Sequence, residues 1–123
     1  MAEETGVGIL LVEDNDIDRD IYTRVLKRAG FRVVAASSYE EATAALDRDD
    51  ALALMVTDVR LPAVHGFMLA RMAVARRPGI KILYVTGLTE LPMHEKGLAL
   101  GRVLQKSSDP ELLVSQVREV LAE

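Results

Sequence analysis

The chain predicts an α/β fold, a doubly wound five-stranded parallel sheet with helices on both faces. Three observations predict it. Apolar runs alternate with amphipathic ones along the whole length, giving five βα repeats and therefore parallel strands joined by crossover helices. The strand runs, ILLV and ALMV among them, are nearly continuous Val, Ile, Leu and Met, as expected of a sheet buried on both faces. With 123 residues, half of them hydrophobic, the chain suits one domain (1–123) around one core.

The first strand is read over Val7–Val12, behind a loose tail at residues 1–6, and the first helix over Asp16–Ala29. Ile17, Ile21, Tyr22, Val25, Leu26 and Ala29 read as one core-facing stripe. Gly30 stands just past the helix, where a left-handed residue is wanted. The second strand is Phe31–Ala35 and the second helix Tyr39–Arg48, opened by a capping box of Ser38 and Glu41. The third strand is Leu52–Thr57. The third helix, Phe67–Arg76, is unusually apolar at Phe67, Met68, Leu69 and Met72; core packing explains most of these, and Met68 is expected at the surface. The fourth strand is Ile80–Val85, followed by a weak helix near Glu90–Leu98, where Pro92 and Gly97 both disfavour a helix interior. Val103–Gln105 makes the fifth strand. Asp109 as N-cap and Pro110 at N1 start the last helix, Pro110–Ala122.

Right-handed crossovers prune the topologies, and five βα units favour the flavodoxin-like order 2-1-3-4-5. In that order a crevice opens at the carboxyl ends of strands 1 and 3. Glu13 and Asp14 follow strand 1 and Asp58 follows strand 3, so three acids line it. Thr86 ends strand 4 and Lys106 follows strand 5 on the same edge. Taken singly each has an ordinary reading: acids at a helix start, a loop acid, a strand threonine, a surface lysine. Their shared edge is what singles them out.

Two carboxylates about 4 Å apart repel by roughly 4 kcal/mol at an effective dielectric near 20. Three in one crevice call for a cation or for raised pKa values. Oxygen ligands favour a hard divalent ion, Mg²⁺ foremost, because it keeps waters and recruits phosphate oxygens. No cysteine is present and the two histidines do not cluster, which disfavours zinc. Asp58, standing apart from the Glu13–Asp14 pair, fits the role of a carboxylate nucleophile that forms an aspartyl-phosphate. Lys106 would add a positive charge and Thr86 a hydrogen bond to a phosphoryl oxygen.

Other classes recede. No apolar stretch approaches the roughly 18 residues of a membrane span. The start, MAEETGVG, has neither the basic nor the apolar region of a signal peptide. With no cysteine framework either, a cytoplasmic location is expected. A net charge of −4 argues against nucleic acid, and Arg71, Arg76, Arg77 and Lys81 read as a solvated helix face. His65 reads as a turn residue and His94 as surface.

From about Gly8 to Leu121 the sequence resembles the receiver domains of two-component response regulators. The likeness rests on LLVEDN, VTDVRLPAVHG, VTG and VLQKSSDPELL, four pieces in order, each at a strand end. It implies that Asp58 accepts a phosphoryl group from a histidine kinase or phosphotransfer protein. It implies Mg²⁺ held by Asp14 directly, by Glu13 largely through water, by Asp58 and by the Arg60 carbonyl. Thr86 would be the switch hydroxyl and Lys106 the phosphate-binding amine, with Pro62 and Gly66 shaping the loop after Asp58. Such a protein is a switch rather than an enzyme, although it catalyses its own phosphorylation and dephosphorylation. It signals to a downstream protein target, in some members as a homodimer. As the last helix reaches Ala122, a stand-alone receiver is expected.

Some positions depart from the family pattern. Val103 stands three before the lysine, where an aromatic residue is usual, and Tyr84, two before Thr86, is not its equivalent by position. Ser107 replaces a proline whose preceding bond is usually cis. A non-proline cis bond costs about 2.5–4 kcal/mol, which favours a trans Lys106–Ser107 bond. Arg60 and Leu88 flank the path of the hydrolytic water. These departures motivate one rival, a receiver-like binding module that no longer uses phosphorylation. A second rival, a Mg²⁺-dependent phosphatase, would carry another acid two residues after its nucleophile, where this chain has Arg60. A flavodoxin would need a Ser/Thr/Gly-rich phosphate loop after strand 1, which is missing.

Overall fold

The chain runs β1 (Gly8–Val12), α1 (Asp16–Arg28), β2 (Arg32–Ala36), α2 (Tyr39–Arg48), β3 (Leu52–Asp58), α3 (Gly66–Arg76), β4 (Lys81–Thr86), β5 (Arg102–Gln105) and α4 (Glu111–Ala122). This is a computed structural model, and it describes residues 6–61, 64–87, 100–106 and 109–123. The tail at 1–5, Pro62, Leu88, the helix expected near Glu90–Leu98 with Pro92, His94 and Gly97, and the Lys106–Ser107 bond lie outside the described residues.

All strand pairs are parallel, in the order β2-β1-β3-β4-β5. The expected flavodoxin-like topology is therefore the one observed. Because strand side chains alternate between faces, each strand feeds two cores. Leu10, Val12, Met55 and Tyr84 pack with Leu46, Phe67 and Leu69 beneath α2 and α3. Ile9, Leu11, Val56 and Val85 pack with Leu26, Leu113 and Val117 beneath α1 and α4. Burying such side chains contributes roughly 1.5–3 kcal/mol each, so the two apolar layers fix the register that delivers every strand end to one edge.

Local chemistry sets the boundaries. Gly30 has φ +104°, and α1 closes with Gly30 N–H donating to Lys27 O at 3.0 Å and Phe31 N–H to Leu26 O at 3.2 Å. These two bonds are a Schellman stop, with glycine at its left-handed position. Ser38 Oγ accepts from Glu41 N–H, but the returning Glu41 carboxylate accepts from Ser37, one residue earlier than the expected capping box. Asp109 Oδ1 accepts from Glu111 N–H at 3.0 Å, but the N-cap position falls on Pro110 rather than on the expected Asp109, and regular α-structure begins at Glu111. Asp58 belongs to its strand instead of following it, and α3 starts one residue early, at Gly66.

Two surface expectations need correction. Ile17 is 70% exposed and Ile21 39%, so neither joins the core stripe of Tyr22, Val25 and Leu26. At 3.6 residues per turn Ile17 lies roughly 130° round the helix from the centre of that stripe, and Ile21 about 90°. The basic residues near α3 are also more engaged than a solvated face requires. Arg76 pairs with Asp47 at 3.0 Å, Arg77 donates to Leu46 O at 2.6 Å, and Lys81 donates to Val120 O at 3.0 Å. Met68 is exposed, as expected.

Candidate functional site

The carboxyl ends of β1, β3, β4 and β5 meet at one edge of the sheet. At the end of β1, Glu13 N–H donates to Ala36 O at 3.0 Å, and Arg19 Nη1 donates to Glu13 O at 3.0 Å. These contacts turn the fully buried Glu13 side chain inward, where its Oε2 accepts from Asn15 N–H at 3.1 Å. Asn15 in turn caps α1, its side chain accepting from Asp18 N–H at 2.9 Å. Asp14, next in sequence, is exposed at the rim.

Asp58 is the last residue of β3 and is only 8% exposed. Its carbonyl accepts from Thr57 Oγ1 at 3.1 Å, and Val59 N–H continues the ladder to Val85 O at 2.9 Å. Thr86 closes β4 and is buried; its carbonyl accepts from Lys106 N–H at 2.7 Å, which fixes the start of the loop after β5. Arg60 is exposed beyond β3 and forms an isolated antiparallel bridge with His65. His65 is the N-cap of α3, with Nδ1 accepting from Phe67 N–H at 3.3 Å. That placement is the turn role read from the sequence.

Lys106 joins the acids. Its Nζ lies 3.0 Å from Glu13 Oε1, 3.1 Å from Asp58 Oδ2 and 3.1 Å from Asp18 Oδ2. Hydrogen-bond geometry is met with Asp58 and Asp18. Glu13 Oε1 sits at ion-pair distance, but it is buried without a hydrogen-bond partner among the described residues. Burial is the main influence pushing the Glu13 carboxyl up, to about 7; Lys106 and the Asn15 N–H draw it down, and Asp58 adds to the rise. For Lys106, burial opposes the charge, yet the adjacent carboxylates of Glu13 and Asp18 and the field of Asp58 raise it overall. The two shifts favour opposite forms of the Glu13–Lys106 pair. An ammonium shared among three carboxylates returns to Glu13 less than the lost water took away, while Lys106 gains from all three.

One carboxylate oxygen each from Glu13, Asp14 and Asp58 falls within 4.8 Å of the others. All-oxygen donors and net negative charge suit a hard divalent cation such as Mg²⁺. The sequence-derived residues Glu13, Asp14, Asp58 and Lys106 are thus brought together, with Thr86 on the adjoining strand end. Sequence reasoning missed Asp18. The overlooked signal was its helical position: an acid in the first turn of α1, on the same stripe as Tyr22 and Val25. Tyr84 is fully buried in register with Val103, its ring edge-on to Phe67 at 4.8 Å and its Oη accepting from Leu100 N–H at 2.9 Å.

Residues 9–118 match the model of the response regulator receiver domain. The response regulator receiver protein CpdR of Brucella abortus is 29% identical over 119 residues, covering 92% of this chain and 95% of that protein. Response regulator UvrY of Escherichia coli is 28% identical over 117 residues, covering 93% of this chain; the chain spans about half of UvrY, 54%. Among solved structures, the CheY-like receiver domain protein of Methanospirillum hungatei superposes with a TM-score of 0.85 at 26% identity, covering 96% of this chain and 95% of that one. Among the described residues no helix is long and apolar enough to cross a membrane. From the sheet order, the acidic edge and these relatives together, the chain belongs to the receiver domains of two-component response regulators.

Proposed function

We propose that this receiver accepts a phosphoryl group on Asp58 and passes the signal on through protein contact. The observation that carries the reading is the bond from Lys106 Nζ to Asp58 Oδ2 at 3.1 Å, inside a cluster of acids. Receiver domains of response regulators work with histidine kinases or phosphotransfer proteins, so a phosphohistidine is the donor proposed here.

An Asp58 oxygen attacks phosphorus in line with the P–N bond. That bond breaks, and the histidine nitrogen leaves with its electron pair and takes up a proton. Bound Mg²⁺, held by Glu13, Asp14, Asp58 and the Arg60 carbonyl, would supply the charge that neutralises the incoming phosphoryl oxygens. Lys106 moves from carboxylate to phosphoryl oxygen over a short distance, keeping positive charge where negative charge develops. Thr86, buried at the next strand end, is the proposed hydrogen-bond donor to another phosphoryl oxygen. Water then cleaves the acyl phosphate and resets Asp58. Chemistry of this kind is mostly positioning and charge stabilisation.

Incubation with phosphoramidate and Mg²⁺, followed by intact mass, tests the reading. Wild type should gain one phosphoryl group, and Asp58→Asn should gain none. No adduct on wild type favours a binding module that does not use phosphorylation. An adduct surviving in Asp58→Asn moves the acceptor elsewhere.

A further inference from the structure

We propose that Asp18 is a positioning residue for Lys106, holding its ammonium beside Asp58 when a cation claims the other carboxylates. This rests on the phosphoacceptor reading of the same site.

A lysine ammonium has three N–H donors and no acceptor. Here three carboxylates face it, from Glu13, Asp18 and Asp58. Two of those, Glu13 and Asp58, also belong to the trio whose oxygens converge within 4.8 Å, whereas Asp18 does not. A divalent ion held by the trio would draw on both and repel the ammonium. Among the described residues Asp18 is then the one carboxylate partner that the ion leaves alone. Lys106 is 22% exposed at its side chain, so an unanchored amine has water to swing into.

Asp18 is itself held in place. Its N–H is bonded to the Asn15 side chain at 2.9 Å, which fixes the first turn of α1. On that turn it shares the inward stripe with Tyr22 and Val25, so its carboxylate points over the sheet edge instead of outward like Ile17. The bland alternative is a dipole role, since acids favour helix N-termini. Asp16 is already in the same turn, and it pairs with Arg19 at 2.6 Å on the exposed side. Of these two first-turn acids, it is Asp18 that reaches Lys106, 88 positions away.

The test compares wild type, Asp18→Ala and Asp18→Asn, each with Lys106 intact or as Lys106→Ala. Two readouts are used: the rate of adduct formation with phosphoramidate and saturating Mg²⁺, and the NMR signal of the Lys106 ammonium with and without Mg²⁺. The Asp18 N–H bond to Asn15 is a backbone contact and survives both substitutions. Asp18→Ala should slow phosphorylation about tenfold, the scale of lost positioning, and should lose the ammonium signal once Mg²⁺ is added. Asp18→Asn, which keeps an acceptor oxygen, should recover part of both. In the Lys106→Ala background Asp18→Ala should change the rate no further. An unchanged rate and signal in Asp18→Ala, or an equal rate loss with Lys106 absent, overturns the proposal. A wild type that takes no phosphoryl group refutes the phosphoacceptor reading instead, and the Mg²⁺-dependent ammonium signal then decides the Asp18 claim alone.

Discussion

A Cβ placed on Gly66 would fall 2.1 Å from the carbonyl oxygen of Asp58. The first residue of α3 thus rests directly on the backbone of the residue at the centre of the site, with Gly66 N–H donating to Val59 O at 2.7 Å. Glycine is required here for close approach, since its φ is not in the left-handed region. Gly66→Ala should push α3 away from β3 and destabilise the protein by about 1–3 kcal/mol, the usual range for overpacking. An unchanged urea midpoint would mean that α3 lifts off without cost.

Stability should depend on pH through Glu13. Burial raises this carboxyl from 4.5 to about 7. Between those values the folded state binds more protons than the unfolded chain, so this contribution is fully present below about pH 4.5 and is lost as pH rises through about 7. The loss amounts to as much as about 3 kcal/mol. Glu13→Gln should therefore be more stable than wild type at pH 8 in EDTA, with the advantage gone by pH 4.5. Urea titrations of both proteins across that range check the difference, and an advantage that grows towards low pH would contradict it.

Adding Mg²⁺ should reverse the penalty. A ligand that binds only the folded state stabilises by about 2.7 kcal/mol at a hundredfold excess over its Kd. Melting temperature should rise with Mg²⁺ at pH 8 in wild type and barely move in Asp14→Asn. Asp14 is exposed at the rim, so its loss should leave the metal-free fold intact. Equal Mg²⁺ responses in the two proteins would remove Asp14 from the ligand set.

Tyr84→Phe should cost about 1 kcal/mol by leaving Leu100 N–H without its acceptor. The ring itself, edge-on to Phe67, should stay in place. Equilibrium urea denaturation measures the loss, and a neutral result would mean that water replaces the hydroxyl.

The legible parts of this molecule were those that depend on period and order. Unbroken apolar runs identified the strands, βα alternation gave the sheet order, and a polar residue at each run's end placed Glu13, Asp14, Asp58, Thr86 and Lys106 on one edge. Asp18 escaped because an acid in a helix's first turn has a cheaper explanation in the helix dipole. Only the packing of α1 over the sheet distinguishes its inward position from that of its exposed neighbours. Ile17 and Ile21 misled for the converse reason: an i, i+4 pair looks like a core ridge until its angle from the true stripe is known. The close approach of Gly66 to Asp58 was equally hidden, since the sequence marks a turn glycine but not the carbonyl it must clear.

The most direct test is reductive trapping of the acceptor. After treatment with phosphoramidate and Mg²⁺, borohydride converts an aspartyl-phosphate to homoserine, and peptide mass spectrometry locates it. Homoserine at position 58 is the result expected here; homoserine at position 14 or 18, or at no position, would contradict a site built around Asp58.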